Sequence, residues 1–503
     1  MQHARLLLFI SVLGLVTISC GLITGSTTTE EPPKIFITET PIILVSPTIE
    51  PSPTNPVEDI TPVEPGDDLL PTPTDEIPAD LPEIPDQTLS DKGPWWIFST
   101  PAGLFAINPD GSGLMQFYAG PINAPYARQI LTAPNGGNVA YLVGESFDAT
   151  LRITILPWHT LITEKPLLSF GGDPDMEALR AVVEAKSMAF SPDGKSLAFM
   201  GAIDGPTSDL YLYSLDTYQT TRLTNGPSQG YQPVWSPDGK YIVHTGVSSF
   251  GTGAGSAMTG VWAAFADNSD VKTLYDPSES GSETIIGWVD NQTFIVHSWD
   301  MMCGDHNLRT FNIETKESSV LWADSIRAIA YDPSSAVVVL SSNDGMCSPD
   351  SGSGLYLVPT DGNGPWRIVE DTSPQVIWSE DAGLFMVSGN FGSGVLAVDS
   401  MGQFIDLDMP PGAQVFPAVA PGSRDLAWTG DGLWIGALLG SIDDPPKKIF
   451  AEPVYNVTWT PDSQSVIFFA DSGLYIAHQP DYMPILIDPE LNNRNGYSDW
   501  LFP

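Results

Sequence analysis

Residues that could carry out catalysis are few and widely spaced in this sequence. The segment Gly226-Pro227-Ser228-Gln229-Gly230 fits the pattern G-x-S-x-G, in which a sharp strand-to-helix turn exposes a serine nucleophile. Here the serine lies between two short β-type runs, so we interpret the segment as a connector. His244 and His297 fall inside β-type runs, where a packed or hydrogen-bonded side chain is the simpler interpretation. We therefore predict no catalytic residue, no cofactor and a protein that is not an enzyme.

Cysteine chemistry is limited to three residues, Cys20, Cys303 and Cys347. Cys303 and Cys347 hold equivalent positions in consecutive sequence repeats, so their loops are expected to lie side by side. Outside the cytoplasm, a Cys303–Cys347 disulfide is the simplest interpretation. A pair of free thiols or a metal site is the alternative. His306 is near Cys303, but four convergent ligands are not apparent, and we predict no metal.

A β-hairpin that recurs about every 40 residues must position these side chains. Val234-Trp235-Ser236-Pro237-Asp238-Gly239-Lys240 is typical of a strand, a tight turn and the start of a second strand. Proline fixes φ for such a turn, and glycine tolerates a positive φ. The pattern also appears at Phe190-Ser191-Pro192-Asp193-Gly194-Lys195 and, less strictly, at Trp459-Thr460-Pro461-Asp462-Ser463.

Each repeat contains four short β-runs, a to d, which predicts an all-β fold: a β-propeller of four-stranded blades. Complete units begin near residues 129, 187, 231, 284, 326, 373, 415 and 454. Trp95 to Tyr118 supplies strands b, c and d, and Gly496 to Phe502 supplies an a-like strand. Pairing of these N- and C-terminal strands would complete a ninth blade and seal the sheet edges. The repeats add up to nine blades, but eight is the commoner number in propellers, so we expect eight or nine. A sandwich or two smaller propellers is the alternative.

The Phe190-to-Lys195 and Trp235-to-Lys240 turns, with Arg222-Leu223-Thr224-Asn225-Gly226 between them, resemble the repeat of TolB-type β-propellers. The resemblance is specific near 187–245 and 454–476 and covers most of 95–503 less strictly. It implies a propeller associated with protein interactions in the bacterial envelope.

Binding residues are expected on the face that carries the b–c and d–a connections. The a–b turns mark the opposite, plain face and are structural. Several b–c loops are long: 144–150, 201–208, 246–260, 298–307 and 341–354. A helix predicted over 174–186 enters the same face. Because long loops on a rigid scaffold usually carry sites, the candidate binding residues are Phe250, Trp299, Asp300, Asp305 and His306. The alternative is that these loops only tolerate insertions.

The N-terminus has the pattern of a secreted lipoprotein. Residues 1–19 combine Arg5 with an apolar run from Leu6 to Ile18, which is typical of a signal peptide. Ser19-Cys20-Gly21 resembles the bacterial lipobox, which predicts lipidation of Cys20. An ordinary signal peptide with an incidental cysteine is the alternative. Residues 20–93 are rich in proline, threonine and acidic residues, which predicts a disordered stalk. Residues 94–503 form the predicted propeller.

The net charge of −41 argues against nucleic acid and against electrostatic docking on anionic lipid. The membrane is therefore expected to be contacted through the lipid anchor alone. The first hypothesis is an extracytoplasmic, lipid-anchored module at the bacterial membrane or cell surface that binds an envelope or extracellular protein or glycan. We expect it to be a monomer. A propeller enzyme acting on glycans or peptides from the central top pocket, or a structural envelope protein, is the alternative.

Overall fold

The computed structural model describes most of the chain from residue 88 onward. The described residues are 88–120, 130–144, 149–168, 176–183, 186–250, 256–275, 282–299, 307–342, 353–370, 375–389, 395–405, 407, 409, 416–438, 445–492 and 496–503. All of them belong to one compact unit of the chain.

These residues form 36 β-strands and one helix. The first seven strands are β1 Trp95–Thr100, β2 Gly103–Ile107, β3 Met115–Ala119, β4 Ile130–Thr132, β5 Asn138–Val143, β6 Thr150–Ile155 and β7 Thr160–Pro166. The helix α1, Met176–Val183, and eight strands follow: β8 Met188–Phe190, β9 Ser196–Gly201, β10 Asp209–Ser214, β11 Thr220–Arg222, β12 Gln229–Trp235, β13 Tyr241–Phe250, β14 Ser256–Phe265 and β15 Val271–Tyr275.

The second half of the chain continues with strands alone. They are β16 Ser282–Trp288, β17 Thr293–Trp299, β18 Asn307–Asn312, β19 Ser318–Trp322, β20 Ala328–Asp332, β21 Val337–Ser342, β22 Gly354–Pro359, β23 Trp366–Val369, β24 Gln375–Ser379, β25 Leu384–Ser388, β26 Val395–Val398 and β27 Phe404–Ile405. The last are β28 Ala418–Val419, β29 Asp425–Thr429, β30 Leu433–Ala437, β31 Lys447–Phe450, β32 Val454–Trp459, β33 Ser465–Ala470, β34 Gly473–His478, β35 Met483–Asp488 and β36 Ser498–Leu501.

The strands form nine antiparallel sheets of four strands each, the blades of a β-propeller. Blade 1 contains β1, β2, β3 and β36, and blades 2 to 9 follow in chain order from β4 to β35. Strand β36 pairs with β1, with Trp95 opposite Leu501 and Phe98 opposite Ser498. The predicted all-β propeller and its closure by the two terminal strands are confirmed. The number of blades is nine, so every repeat counted in the sequence forms a blade.

The hydrophobic core is divided among the contacts between neighbouring blades. Each of nine clusters in the described residues joins two consecutive blades. Trp96 and Phe98 of blade 1 pack on Phe469 of blade 9, while Ile97 of blade 1 packs with Tyr141 of blade 2. Burial of each such large side chain contributes about 1.5–3 kcal/mol. Because blade 1 is buried on both faces, the ring is closed by packing as well as by strand pairing.

The a–b turns are stabilised by hydrogen bonds of their own side chains. Ser236 Oγ donates to Asp238 Oδ1 at 2.7 Å, and the Tyr241 N–H donates to Ser236 Oγ at 2.9 Å. Gly239 has φ of 68°, a left-handed conformation that favours glycine. The same serine–aspartate bond forms between Ser191 and Asp193 at 2.6 Å. These contacts agree with a structural role for the recurring turn.

In three blades a tryptophan of strand a is hydrogen-bonded to the blade before it. Trp235 Nε1 donates to the Ala189 carbonyl at 2.9 Å, and Trp459 Nε1 donates to Ala418 at 3.1 Å. Trp500 repeats the contact across the closure by donating to the Trp459 carbonyl at 2.9 Å. The indole thus buries apolar surface and satisfies its N–H at once.

The insertion between blades 2 and 3 contains the helix α1. It spans Met176–Val183, inside the predicted 174–186. Ala181 and Val182 are fully buried, and the helix contacts β9, β12 and β13. It therefore lies against blades 3 and 4. In the described part of the chain, no helix has the length and apolar character needed to cross a membrane.

Candidate binding site

Most residues of the predicted binding face lie beyond what the structure describes. Outside the described residues are Cys20, Asp300, Cys303, Asp305, His306 and Cys347. Phe250 ends β13 and Trp299 ends β17, and only their backbone is described. The predicted binding face, the lipidation and the disulfide all stay predictions.

The segment predicted as a long b–c loop in blade 4 is instead a β-hairpin. Strands β13 and β14 continue pairing past Gly246, which lies opposite Gly260, to Val247 opposite Met258 and Phe250 opposite Ser256. The prediction of a loop over 246–260 is wrong, because backbone pairing extends through a stretch whose glycines and serines favour a loop in sequence. The hairpin carries the b–c face of blade 4 beyond the usual strand ends.

A cavity of about 140 Å³ lies at the base of this hairpin, between blades 3 and 4. Its walls come from the start of β10, the connector between β11 and β12, and the upper parts of β13 and β14. The lining residues are Asp209, Leu223, Thr224, Asn225, Gly226, Ser228, Gly230, His244, Gly246, Trp262 and Val271.

Asp209 organises one side of the cavity, and its side chain is 1% exposed. Its Oδ1 accepts from Thr224 Oγ1 at 3.0 Å and from the Gly226 N–H at 2.8 Å. Its Oδ2 accepts from Arg222 Nη2 at 2.5 Å and from Thr207 Oγ1 at 3.0 Å. Burial lowers the pKa of Arg222, but the hydrogen bond and charge of Asp209 outweigh burial and raise it overall. Both carboxylate oxygens are thus engaged in holding the connector.

The G-x-S-x-G segment is the connector that the sequence predicts. It joins β11 directly to β12, and no helix follows the serine. The Ser208 N–H donates to Gln229 Oε1 at 2.6 Å, and the Gly230 N–H donates to the Ser208 carbonyl at 2.6 Å. Ser228 Oγ accepts from Thr259 Oγ1 of the hairpin at 2.6 Å. These bonds tie the connector to blade 3 and to the hairpin.

His244 lies in the wall of the cavity, and its ring is held by a backbone carbonyl. Its Nδ1 lies 3.3 Å from the Thr245 carbonyl, which can only accept, so Nδ1 carries the hydrogen and Nε2 the lone pair. His244 Nε2 is buried and has no hydrogen-bond partner within the described parts of the chain. Burial lowers the pKa of His244 to about 4, against a smaller opposing effect of the Thr245 hydrogen bond and the Asp209 charge. The imidazole is therefore neutral at pH 7.

Trp262 supplies a half-buried aromatic surface to the same cavity. Two glycines make room for its indole. A Cβ atom at Gly246 would lie 2.7 Å from Trp262 Nε1, and one at Gly260 would lie 3.3 Å from it. Leu223, 6% exposed, adds further apolar lining.

Ser228, His244 and Asp209 share a cavity without the bonds of a catalytic triad. In a triad the carboxylate orients the histidine, and the histidine is bonded to the serine. Here the Nδ1 of His244 is bonded to a backbone carbonyl, and the Asp209 oxygens are bonded to the connector and to Arg222 and Thr207. Across the described residues, no group of three or more His, Cys, Asp or Glu side chains is placed to hold a metal ion.

Blade 5 contains a buried ion pair on the side that faces blade 4. Arg309 Nη2 lies 2.6 Å from Glu283 Oε1, with the side chains 15% and 5% exposed. Ser298 Oγ donates to the same carboxylate oxygen at 2.9 Å. The Arg309 guanidinium lies 5.0 Å from the ring of Tyr275, whose pKa is raised by burial and by Glu283. This cluster fixes the end of β17, just before the predicted binding loop.

Sequence reasoning did not predict the cavity or the ion pair. It placed His244 correctly in a strand but gave no role to its second nitrogen. A usable signal was the presence of charged residues, Asp209, Glu283 and Arg309, in otherwise apolar or hydroxyl-rich strands. Buried charges in such strands are rare unless they are paired.

No family model matches this chain. An uncharacterised protein of Agrobacterium fabrum is 31% identical over 117 residues, which are 21% of this chain and 36% of that protein. The chain thus spans about a third of the length of that relative. A crystal structure of a eukaryotic initiation factor is 15% identical and covers 82% of this chain and 99% of its own, with a TM-score of 0.51. TolB from Acinetobacter baumannii is 20% identical and covers 54% of this chain and 63% of its own, with a TM-score of 0.31. The likeness to the initiation factor shows the propeller fold alone.

Proposed function

We propose that the protein is an extracytoplasmic binding module whose b–c and d–a face recognises an envelope or extracellular protein or glycan. The observation that carries this proposal is the elaborated sector of that face around blade 4. There the β13–β14 hairpin rises beside a cavity whose lining includes Trp262, Leu223 and Ser228. Concave sites with apolar walls and a few polar groups are typical of ligand binding.

The surroundings of the hairpin favour recognition by a rigid surface. On the side of blade 3 the connector is fixed by the bonds of Asp209 and Ser208, and on the side of blade 5 the Arg309–Glu283 pair lies against Tyr275. A preorganised surface loses less conformational entropy on binding than a mobile one. The proposal assigns binding and not catalysis, since His244 is neutral and is oriented by a backbone carbonyl.

The anchoring of the module belongs to the same proposal. Lipidation of Cys20 would attach the chain to the bacterial membrane, with residues 20–93 as a spacer to the propeller. Mass spectrometry of the mature N-terminus tests this part independently. A mature chain that begins with a diacylglyceryl-modified Cys20 supports it, and an unmodified N-terminus at another residue contradicts it.

The binding face is tested by shortening the hairpin in the full chain. Val247 lies opposite Met258, so replacing residues 248–257 by Asn-Gly joins paired positions with a favourable two-residue turn. The control is the double variant Lys195→Ser and Lys240→Ser, which alters exposed residues of the plain face. Each protein is used to capture partners from the envelope fraction and from isolated surface glycans of the source bacterium. We expect the shortened variant to lose a partner that the wild type and the control retain. If the shortened variant retains every partner, the face assignment is wrong.

A further inference from the structure

The a–b turn of blade 2 lacks hydrogen bonds that hold the corresponding turn of blade 3. In blade 3 the Gly194 N–H donates to the Ser191 carbonyl at 2.8 Å, and Ser191 Oγ donates to Asp193 Oδ1 at 2.6 Å. Blade 2 has Ala133-Pro134-Asn135-Gly136-Gly137 in the same place, between β4 and β5. Because alanine has no hydroxyl group, the side chain of Asn135 cannot form the serine bond.

The pair Asn135-Gly136 is also exposed to water. In the described parts of the chain, neither the Asn135 side chain nor the Gly136 N–H has a hydrogen-bond partner. The N–H of the next residue, Gly137, donates to the Phe502 carbonyl at 3.0 Å. In blades 3 and 4 the corresponding N–H donates to the aspartate of the turn at 3.1 Å. The side chain of Asn135 and the amide of Gly136 are therefore both free to react.

An asparagine followed by glycine can lose ammonia with water as the only reagent. The glycine amide nitrogen attacks Cγ of the asparagine, and the new C–N bond closes a five-membered succinimide ring. The side-chain nitrogen takes up the amide proton and leaves as ammonia. Water then opens the ring at either carbonyl and gives aspartate or isoaspartate. Glycine favours the attack because it has no Cβ atom, and a free N–H favours it because no hydrogen bond is broken first.

The pair Asn225-Gly226 has the same sequence but a restrained amide. Asn225 is exposed, as Asn135 is. The Gly226 N–H, however, donates to Oδ1 of the buried Asp209 at 2.8 Å. Attack on Asn225 therefore requires the loss of a hydrogen bond to a charged group, which is among the stronger kinds. Exposure does not distinguish the two asparagines, whereas the bonding of the glycine amide does.

A third pair, Asn363-Gly364, is restrained at its side chain. Asn363 Nδ2 donates to Asp361 Oδ2 at 2.8 Å, and the Asn363 N–H donates to Asp361 Oδ1 at 2.9 Å. These bonds fix the amide group that has to turn toward the glycine nitrogen. Asn495, which belongs to the fourth Asn-Gly pair of the sequence, lies outside the described residues.

We propose that Asn135-Gly136 is a site of spontaneous deamidation and that its isoaspartate product loosens the junction of blades 1, 2 and 3. The Asn135 side chain lies against Gly194 of blade 3, where a Cβ atom would be 2.5 Å from Asn135 Oδ1. Gly137 is bonded to Phe502, directly after the closing strand β36. Isoaspartate adds a methylene group to the main chain between these two contacts, so one of them has to shift. The site lies on the plain face and does not depend on the proposed binding function.

The test incubates the full chain in mildly alkaline buffer prepared with ¹⁸O-water, because loss of the amide proton promotes the attack. Mass spectrometry then follows each Asn-Gly peptide. We expect the Asn135 peptide to incorporate ¹⁸O and to contain both aspartate and isoaspartate. Asn225 is the matched control and should react at least about tenfold more slowly. In Asn135→Gln, where the ring would have to be larger, the peptide should stay unchanged.

Hydrogen exchange measures the consequence for the closure. The Gly137 N–H of the wild type should exchange about fivefold faster after the incubation than before it, the effect of losing one hydrogen bond. The same N–H in Asn135→Gln should exchange at an unchanged rate.

Three results would overturn the inference. The first is a reaction at Asn135 that is no faster than the reaction at Asn225 in the folded protein. The second is an equally large difference between the two sites in the urea-unfolded chain, which would place its cause in the neighbouring residues and not in the fold. The third is unchanged exchange at Gly137 after conversion of Asn135, which would mean that the junction tolerates the product.

Discussion

His244 makes the folding stability of this protein depend on pH in a direction that can be derived from its surroundings. Burial lowers its pKa in the folded chain to about 4, from the ordinary value of 6.5. Below pH 6.5 the unfolded chain takes up a proton at this residue and the folded chain does not, so acidification favours unfolding. Each pH unit in this window contributes about 1.4 kcal/mol. The stability linked to His244 therefore falls by about 2 kcal/mol between pH 7 and pH 5, and by about 3 kcal/mol at pH 4.

The measurement compares the wild type with His244→Gln, which retains polar atoms near the Nε2 position but does not titrate. The free energy of unfolding is obtained from urea titrations at pH 7 and pH 5. We expect the wild type to lose about 2 kcal/mol more than the variant over this interval. His159→Gln, which removes an exposed histidine, is the control. The pKa itself can be read from the ¹³C signals of labelled histidines, with His244 assigned by its loss in the variant.

Equal losses in the wild type and in His244→Gln would refute the reasoning. The same conclusion would follow from a His244 signal that titrates near pH 6.5 in the folded protein. Either result would mean that the imidazole is reached by water or by a nearby acceptor, so that its neutral state is not enforced.

Two other predictions concern the scaffold around the site. Asp209→Asn is expected to destabilise the chain by about 3 kcal/mol, because Arg222 would lose the partner of a largely buried pair. Glu164→Gln removes one partner of the Arg152–Glu164 pair, whose side chains are 29% and 47% exposed, and should lower the free energy of unfolding by less than about 1 kcal/mol. Equal losses for Asp209→Asn and Glu164→Gln in urea unfolding would contradict this account. Gly194→Ala and Gly239→Ala change equivalent turns with φ of 67° and 68°. A Cβ at Gly194 would lie 2.5 Å from Asn135 Oδ1, whereas at Gly239 the nearest atom is 3.9 Å away. Gly239→Ala should therefore lower the free energy of unfolding by about 1 kcal/mol, and Gly194→Ala should lower it clearly more. Thermal denaturation of the two variants measures the difference.

The fold was predictable because its determinants are local and repeated. The turn at Pro237 and Gly239 restricts the backbone by its own chemistry, and a second copy at Pro192 and Gly194 makes the repeat visible. Closure by the terminal strands followed from the need to cover two open sheet edges. Trp500 shows why the C-terminal strand completes blade 1, since its indole makes the same interblade bond as Trp235.

The cavity was not predictable because its parts are distant in sequence and individually ordinary. Asp209 begins a strand, Ser228 lies in a connector, and His244 and Trp262 occupy strand positions where a large side chain usually packs. His244 and Trp262 become neighbours through the pairing of β13 with β14, and the packing of blade 3 against blade 4 adds Asp209. The extension of the hairpin was hidden for another reason. Gly246 and Gly260 have low strand preference, yet they are needed because a side chain there would collide with the indole of Trp262.

Blade 4 has polar contacts with both of its neighbours. On one side the Ser208 N–H of blade 3 donates to Gln229 Oε1, and on the other the Arg309 guanidinium of blade 5, paired with Glu283, lies over the ring of Tyr275. Such polar groups add little net stability when they are fully paired, and an apolar replacement is often as stable. The strands that carry the hairpin of blade 4 are thereby held against both neighbouring blades.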